Sequence, residues 1–353
     1  MKLSSREFLA ASFILLGAAI AAAGPIRVPQ PWELKRFNSQ LQGRVLDFTH
    51  NHGRDNRIFS PALGKKRDLY VYVPPGYDGV KQYPVLVWLH GFSQDEKDTK
   101  SLAKKFDEAV ASGQIPPMII ACPDGTFNGR PSANNSGSFY LNGVRGKYED
   151  YLIDVWNFLQ CNFAIRPERE AHVLGGASMG GTSAFNLGIK YREIFGVLVG
   201  IMPLLDLRYA DCHGNRKAPF DPNCIGQIEK YRPMTMAGRL LLVVPVRYGK
   251  AMRPIFGNRN KVQERLPSEN PKEMLDLYDV QAGEFQMFIA YGARDQFNGD
   301  DMAKSFLHFA CMRGVTAETS VHPTGRHNKR TGMSFFSTFS DWLTPVLLPY
   351  VPQ

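Results

Sequence analysis

The sequence predicts an α/β protein with a mostly parallel central sheet that is covered by helices on both faces. Short apolar runs alternate with amphipathic segments along most of the chain, which is the pattern of parallel strands joined by crossover helices. Several runs are apolar at every position, as expected for strands that are buried on both faces. The chain has 353 residues and is 44% hydrophobic, which is enough for a large core.

The predicted strands and helices follow one another in a regular order. Gly113 and Gly314 mark the C-terminal ends of two of the helices, at the usual position of a glycine cap. In chain order the predicted strands cover 68–73, 84–91, 117–122, 172–174, 195–201, 286–292 and 317–321, and the predicted helices cover 101–113, 148–159, 182–190, 301–313 and 332–343.

The chain divides into a signal, a leader, a core in two parts and an insertion. Residues 1–23 begin with two basic residues, continue with an apolar run and end in small residues, which is typical of a cleaved export signal peptide. Residues 24–60 are polar and contain prolines, so we expect a leader strapped over the core. The core covers 61–202 and 284–347. Residues 203–283 are charged and interrupted by prolines, and we interpret them as a cap-like insertion over the C-terminal edge of the sheet.

An export signal makes a disulfide possible. We expect the mature protein to be periplasmic or secreted, with no stable membrane span once the signal is removed; an uncleaved anchor is the alternative. The five cysteines are an odd number, so at least one thiol is free. Cys212 and Cys224 are the favoured disulfide pair because they close a short loop. Metal binding by Cys212, His213 and Cys224 is the competing interpretation, but adjacent Cys and His are poor ligand spacing.

A glycine-rich turn carries the candidate nucleophile. Gly176-Ala177-Ser178-Met179-Gly180 follows an apolar run and precedes a helical pattern, so it lies at a strand–turn–helix junction. Such a nucleophile elbow holds its serine in a strained conformation that exposes the hydroxyl at the edge of the sheet. Glycine is expected two residues before and after the serine, because a side chain there would strike the neighbouring strand or helix. Ser178 is therefore the predicted catalytic serine.

A candidate triad is completed by two residues that lie much further along the chain than Ser178. A serine nucleophile needs a base, and the base needs a carboxylate that orients it. In folds with this elbow the acid and then the histidine follow the serine, each on a loop after a strand. Asp295 follows the predicted strand 286–292, and His327 follows the predicted strand 317–321. His322 is the rival base, but a proline directly after it at the end of the strand favours a structural role.

Two backbone N–H groups are predicted to form an oxyanion hole. Met179 opens the helix after the serine, so its N–H is free to face a developing oxyanion. Phe92 is the second candidate, because it follows Leu89-His90-Gly91 at the end of a strand, where glycine lets the chain turn back over the serine. His90 is expected to brace that turn rather than to act as a base.

The positive charge of the chain is unevenly distributed. The formal net charge is +9, and the insertion holds a basic stretch, residues 239–265, in which Glu264 is the one acid. A solvated surface is the favoured explanation, and an acidic substrate or an anionic surface is the alternative. The basic residues of the stretch are Arg239, Arg247, Lys250, Arg253, Arg259, Lys261 and Arg265.

Several stretches of the sequence carry the motifs of a known family. They are Leu89-His90-Gly91, Asp124-Gly125, residues 146–151, Gly176 to Gly181, Gly292 to Asp295 and Gly325 to His327. Together they resemble the esterase D-like branch of the α/β-hydrolases, which includes feruloyl esterases, acetyl-xylan esterases and bacterial mycolyltransferases. The resemblance covers roughly residues 62–345. It implies an α/β-hydrolase fold, a Ser-Asp-His triad, no metal and no organic cofactor.

The residues and the resemblance together predict an exported serine carboxylesterase. The favoured partner is a small-molecule or polysaccharide ester, such as a feruloyl or acetyl ester; an anionic ester is one of the candidates, and no nucleic-acid partner is expected. An acyltransferase that uses the same triad is one alternative. A non-catalytic binding module on the same fold is the alternative from a different class, and it is disfavoured because every catalytic position is filled.

Overall fold

The fold is described by a computed structural model that covers residues 28, 30–131, 137–240 and 244–352. The predicted signal peptide at 1–23 lies outside the described residues. Among the helices of the covered ranges, none is long and apolar enough to cross a membrane.

Strands and helices alternate through the described chain. The strands are β1 (Arg44–Phe48), β2 (Ile58–Ser60), β3 (Lys65–Arg67), β4 (Leu69–Val73), β5 (Val85–Leu89), β6 (Ile119–Pro123), β7 (Asn142–Gly143), β8 (Gly146–Lys147), β9 (His172–Ala177), β10 (Val197–Ile201), β11 (Tyr209–Asp211), β12 (Ile225–Gln227), β13 (Met236–Leu240), β14 (Val244–Arg247), β15 (Gln286–Gly292) and β16 (Glu318–His322). The α-helices are α1 (Trp32–Asn38), α2 (Thr99–Ala111), α3 (Tyr148–Asn162), α4 (Met179–Lys190), α5 (Tyr248–Phe256), α6 (Arg259–Arg265), α7 (Pro271–Leu277), α8 (Gly299–Met312), α9 (Lys329–Ser334) and α10 (Phe336–Leu347).

Eight strands form the central sheet, in the order β1-β4-β6-β5-β9-β10-β15-β16. The neighbours from β6 to β16 run parallel, whereas β4 is antiparallel to both β1 and β6. The prediction of a mostly parallel sheet is therefore confirmed. Because the carboxyl ends of parallel strands lie at one edge, the loops that follow β5, β9, β15 and β16 meet there.

Helices cover both faces of this sheet. The side chains of β5 alternate between two core clusters, with Val85, Val87 and Leu89 in one and Leu86 in the other. Buried side chains of α3, α4, α7 and α8 belong to the first cluster, and those of α2 and α10 belong to the second. This three-layer packing is the one that alternating strands and helices predict.

The leader prediction for residues 24–60 is wrong in one respect. Residues 44–48 form β1, which pairs with β4 as an edge strand of the sheet. This strand contains Asp47, which is 1% exposed and accepts a hydrogen bond from Thr49 Oγ1 at 2.5 Å. A buried acid interrupts the apolar pattern of the strand, so the periodicity did not indicate it.

Residues 203–283 lie between β10 and β15, where the sequence predicts an insertion. They form two hairpins, β11–β12 and β13–β14, which are followed by α5, α6 and α7. A disulfide joins Cys212 and Cys224 at the end of the first hairpin, which is the pair that the sequence favours. We call residues 212–224 the disulfide loop.

Candidate active site

Ser178 lies on a sharp turn between β9 and α4. Its backbone takes φ 53° and ψ −117°, a conformation that is strained for a residue with a side chain. A Cβ at Gly180 would lie 1.9 Å from the Leu89 carbonyl oxygen, and a Cβ at Gly176 would lie 2.4 Å from the Gly180 carbonyl carbon. Close backbone packing therefore requires glycine at both positions, as the sequence predicts.

Ser178, His327 and Asp295 form one continuous chain of hydrogen bonds. The Ser178 hydroxyl oxygen is 2.7 Å from His327 Nε2, and His327 Nδ1 is 2.7 Å from Asp295 Oδ2. The side chain of His327 is 8% exposed and that of Asp295 is fully buried. When Nδ1 carries the proton and donates it to the carboxylate, Nε2 is free to accept the serine proton. The structure thus brings the three candidate residues together.

The loops after β15 and β16 cross in contact, and this contact brings Asp295 to His327. The Arg294 N–H donates to the Gly325 carbonyl oxygen at 3.0 Å. Asp295 Oδ1 accepts from the Phe297 N–H at 2.8 Å, which leaves Oδ2 directed to the imidazole. The orientation of the carboxylate is therefore fixed by its own loop.

Phe92 and Met179 each have a backbone N–H that bonds no acceptor within its own turn or helix, beside the elbow. Met179 is the first residue of α4, so its N–H has no acceptor within the helix. Phe92 is second in a turn that is closed by the Gln94 N–H and the Gly91 carbonyl at 3.1 Å, a position whose N–H the turn leaves unbonded. The Gln94 side chain also accepts from the Gly91 N–H at 2.8 Å. A Cβ at Gly91 would lie 3.3 Å from the Ala177 carbonyl oxygen, so the turn packs against the elbow.

Two further histidines considered from the sequence have other contacts. His90 Nδ1 is 2.9 Å from the Gly91 carbonyl oxygen, and His90 Nε2 accepts from the Gly125 N–H at 2.9 Å. The ring therefore braces the turn, as the sequence predicts. His322 ends β16 with its ring centre 6.5 Å from that of Phe335, and its Nδ1 is buried without a hydrogen-bond partner in the described chain.

The residue after Asp295 holds the backbone of the candidate base. Gln296 Oε1 accepts from the His327 N–H at 3.1 Å, and Gln296 Nε2 donates to the His327 carbonyl oxygen at 3.1 Å. Gln296 Nε2 also lies 3.4 Å from the carbonyl oxygen of Arg239, a residue of the insertion. One side-chain amide therefore binds both backbone groups of His327. Nothing in the sequence distinguishes Gln296, because a glutamine after an aspartate carries no signal of the loop that it contacts.

The disulfide loop contacts the loop of the candidate acid through Lys217. The Lys217 ammonium donates to the Gln296 and Ala237 carbonyl oxygens, each at 3.1 Å. Burial lowers the pKa of Lys217, and the charge of Asp295 acts in the opposite direction. Lys217 therefore links the disulfide loop, β13 and the loop after β15. Nothing in the sequence distinguished this lysine from a surface residue.

Strand β13 approaches the candidate base through one aromatic side chain. A Cβ at Gly238 would lie 2.4 Å from Phe297 Cδ1, so the strand packs directly on this ring. The ring centre of Phe297 is 4.9 Å from that of His327. The insertion is therefore in contact with the residues that surround the candidate base.

The basic stretch 239–265 is only partly neutralised. Arg265 is 3.7 Å from Glu269 and donates to the Asn142 carbonyl oxygen at 2.9 Å. Other members of the stretch are exposed and form no ion pair with a residue that the structure describes. They are Arg239, Arg247, Arg253, Arg259 and Lys261.

The alternative metal site coincides with the disulfide. The ligand atoms of Cys212, His213 and Cys224 lie within 4.8 Å of one another. The two sulfurs are bonded at 2.03 Å, so neither is a thiolate available to a metal. The free cysteines in the described ranges are Cys122, which is buried, and Cys161 and Cys311, which are exposed.

The sheet order and the serine elbow define the protein as an α/β-hydrolase. A solved ferulic acid esterase superposes with a TM-score of 0.59 at 20% identity, covering 87% of this chain and 99% of that one. An S-formylglutathione hydrolase from Agrobacterium tumefaciens superposes with a TM-score of 0.59 at 16% identity, covering 87% of this chain and 96% of that one. These two similarities establish the fold.

The family follows from the sequence comparison. The family model described as "Putative esterase" matches residues 60–344, and the chain belongs to this esterase family. An endo-1,4-beta-xylanase/feruloyl esterase from Xylanibacter ruminicola is 28% identical over 157 residues, which are 41% of this chain and 21% of that protein. Endo-1,4-beta-xylanase Y from Acetivibrio thermocellus is 27% identical over 138 residues, which are 35% of this chain and 12% of that protein. The chain thus covers about a fifth or less of the length of these two relatives.

Proposed function

We propose that the protein is an exported serine carboxylesterase with Ser178 as nucleophile, His327 as general base and Asp295 as the residue that orients the base. The observation that carries this proposal is the hydrogen-bonded chain from the strained serine through His327 to the buried carboxylate, with two distances of 2.7 Å. Membership in an esterase family supports a carboxylic ester as the substrate.

The geometry supports a two-step acyl transfer to water. His327 Nε2 takes the proton of the Ser178 hydroxyl as its oxygen attacks the ester carbonyl, while Asp295 stabilises the imidazolium. The N–H groups of Phe92 and Met179 donate to the oxyanion of the tetrahedral intermediate. The intermediate collapses, and His327 returns the proton to the departing alkoxide. The same histidine then deprotonates the water that releases the acid and restores Ser178.

For the substrate we propose a feruloyl or acetyl ester of a polysaccharide. The printed name of the Xylanibacter ruminicola relative, which combines a xylanase and a feruloyl esterase, supports this choice. The basic, exported character of the sequence also suits an extracellular carbohydrate ester that carries acidic groups. Export is supported by the signal pattern of residues 1–23 and by the disulfide, since disulfides persist in oxidising compartments.

Labelling and turnover test the nucleophile. A fluorophosphonate probe should label the wild-type protein and not Ser178→Ala, and the variant should lose ester hydrolysis by on the order of a million-fold. The substrates would be 4-nitrophenyl acetate and methyl ferulate. Activity of the variant above a few per cent of wild type would refute the mechanism. A wild-type protein that neither reacts with the probe nor hydrolyses an ester would be a binding module.

Paired histidine variants test the base. His327→Ala should be as damaging as the serine change, whereas His322→Ala is the matched control and should retain most of the activity, because its ring packs beside Phe335. A larger loss in a folded His322→Ala protein would contradict the assignment. Adding a sugar alcohol tests the acyltransferase alternative, which would transfer the acyl group to that acceptor in preference to water.

A further inference from the structure

Arg216 lies on the disulfide loop, next to the lysine that contacts the active-site loops. Lys217 donates to the carbonyl oxygen of Gln296, which is the residue after Asp295. Arg216 instead contacts α5, with its guanidinium carbon 4.3 Å from the ring centre of Tyr248. The guanidinium is therefore held at the junction of the disulfide loop and α5.

Arg216 belongs to a cluster with unsatisfied donors. Its Nη1 is buried without a hydrogen-bond partner among the described residues, and the same holds for the hydroxyl of Tyr231, a residue that is 4% exposed. Burial raises the pKa of Tyr231 to about 12, and the charges of Arg253 and Arg216 act in the opposite direction. Both guanidinium groups thus lie within electrostatic reach of the hydroxyl. We call Arg216, Tyr231, Tyr248 and Arg253 the Arg216 cluster.

The positive charge of this cluster is not neutralised by an ion pair with any residue that the structure describes. Neither Arg216 nor Arg253 forms an ion pair within the described ranges. The carboxylate of Asp206 acts electrostatically on Tyr248. Both oxygens of Asp206 are already engaged: Oδ2 by Lys272 Nζ at 3.1 Å and by Ser305 Oγ at 2.8 Å, and Oδ1 by Asn270 Nδ2 at 3.1 Å. The cluster therefore combines two cations and a buried hydroxyl, and neither cation has an ion-pair partner in the described part of the chain.

An oxyanion is the chemical group that would satisfy these donors. Buried polar groups in folded proteins nearly always have a hydrogen-bond partner, and an unpaired donor carries a desolvation penalty. A guanidinium presents parallel N–H groups that match a carboxylate, and a phenol can donate to the same oxygens. Arg253 is exposed, so an anion can reach the cluster from solvent.

We propose that the Arg216 cluster binds a carboxylate carried by the ester substrate. The proposal rests on the proposed esterase function and names the class of its substrate as an anionic ester, such as one that bears an acidic sugar. The link to the reaction is the insertion, because Lys217 and β13 contact the loop that holds Asp295 and the ring of Phe297 beside His327. A carboxylate on the cluster would thus orient the ester from the insertion side.

Matched pairs of esters test the proposal on the wild-type protein. In the first pair, mono-4-nitrophenyl adipate has a carboxylate at the end of its acyl chain, and 4-nitrophenyl hexanoate has an acyl chain of the same length without one. In the second pair, the sodium salt of 3-acetoxybenzoic acid has a carboxylate on the phenol that leaves, and phenyl acetate has none. In at least one pair, kcat/KM for the anionic ester should be about ten times that for its neutral partner. That pair identifies the side of the ester that carries the charge. Ratios near one or below in both pairs would overturn the proposal.

Three variants locate the effect. Arg216→Gln should reduce the preferred ratio by about tenfold, because a charge-assisted hydrogen bond is lost. Tyr231→Phe should also reduce it, and this change removes a hydroxyl that has no partner in the described chain, so it should not impair folding. Arg259→Gln is the control, since it removes an equal charge from an exposed position on α6 and should leave the ratio unchanged at 500 mM salt, where exposed charges are screened.

The outcomes separate this proposal from the esterase proposal. If neither neutral nor anionic esters are hydrolysed, both the esterase function and this proposal are refuted. If neutral esters are hydrolysed but Tyr231→Phe and Arg259→Gln affect the ratio equally, the esterase function stands and the anion site is overturned. An unfolded Arg216→Gln protein leaves the decision to the Tyr231→Phe ratio.

Discussion

Gln296 binds both backbone groups of His327, and we predict that its loss weakens catalysis while the triad stays intact. Gln296→Ala removes two hydrogen bonds of 3.1 Å, one from the His327 N–H to Gln296 Oε1 and one from Gln296 Nε2 to the His327 carbonyl oxygen. A displacement of about 1 Å can reduce a rate by about a hundredfold, so kcat on 4-nitrophenyl acetate should fall by about 10- to 100-fold with a smaller change in KM. Steady-state kinetics and the melting temperature are the measurements.

The matched control for this change is another glutamine. Gln281 is exposed, and its side-chain amide donates to the Asp279 carbonyl oxygen at 2.9 Å, in a loop of the insertion. Gln281→Ala should leave kcat unchanged. An unaltered kcat in Gln296→Ala would show that the amide does not position the base. The same conclusion would follow if kcat fell in both variants in proportion to a lower melting temperature.

Glu96 should make the protein less stable as the pH rises. Burial and the charges of Asp124 and Asp95 raise its pKa from 4.5 to about 8, and its Oε2 has no hydrogen-bond partner in the described chain. Since the folded state holds this proton more tightly than the unfolded state, the group contributes its full stability below about pH 4.5 and loses it between 4.5 and 8. Ionising the buried carboxyl then opposes folding.

Glu96→Gln tests this effect because glutamine keeps a neutral acceptor for Asn51, which donates to Glu96 Oε1 at 2.7 Å. The melting temperature of the variant relative to wild type should increase from pH 5 to pH 8. Glu108→Gln, on the exposed side of α2, is the control and should show no such trend. A pH-independent difference between wild type and Glu96→Gln would contradict the raised pKa.

The residues predicted from sequence share one property: each occupies a fixed place relative to a strand end. Ser178, Asp295 and His327 follow three strands of the sheet in the order that an elbow-type site requires, so the pattern alone could select them. Gln296 and Arg216 have no such place. Their contacts depend on which loops meet after folding, and those meetings involve long sequence separations that local patterns do not encode.

At the level of elements, the disulfide loop is the part of the insertion whose removal we expect to matter most. The loop is held by the Tyr209 hydroxyl, which donates to the Ala218 carbonyl oxygen at 2.9 Å, and by the Phe220 N–H, which donates to Asp301 Oδ1 at 3.0 Å. Replacing Cys212 and Cys224 with serine should lower the free energy of unfolding by about 3 kcal/mol in the chain-entropy account of loop closure.

The same double variant should also lose activity, because the loop carries Lys217 to the carbonyl oxygens of Gln296 and Ala237. Denaturant unfolding and kcat on a neutral ester are the measurements. Cys161→Ser, which removes an exposed free thiol, is the matched control. Full activity in a destabilised double variant would mean that the loop supports the fold but not the site.

The elements that sequence could not place each have a physical reason. Strand β1 was missed because buried Asp47 breaks its apolar pattern. The closing helix predicted at 332–343 is two helices, α9 and α10, with Phe335 between them. Asn328 caps α9 by accepting from the Thr331 N–H, so the first helix begins earlier than the apolar period suggests. By contrast, the fully apolar strands β5, β6 and β10 were predicted within a few residues.

For the whole molecule, the net charge of +9 and the exposed arginines of the insertion create a positive potential around the protein. Such a field raises the rate at which an anionic ester is captured, and it acts through solvent over roughly a Debye length, about 10 Å at 0.1 M salt. A neutral ester gains nothing from it. The field and the Arg216 cluster therefore predict different responses to salt, since a partly buried ion pair is screened much less than exposed charges.

We predict that kcat/KM for an anionic ester falls as salt rises from 20 to 500 mM, while kcat/KM for its neutral partner changes little. A triple variant, Arg239→Gln with Arg247→Gln and Arg259→Gln, should lose most of this salt dependence because three exposed cations are removed. Its residual preference at high salt should match that of wild type, because the cluster is intact. Arg216→Gln should behave in the opposite way, keeping the salt dependence and losing the preference that persists at 500 mM. Equal salt responses for the two esters in wild type would show that the basic stretch is a solvated surface without a role in substrate capture.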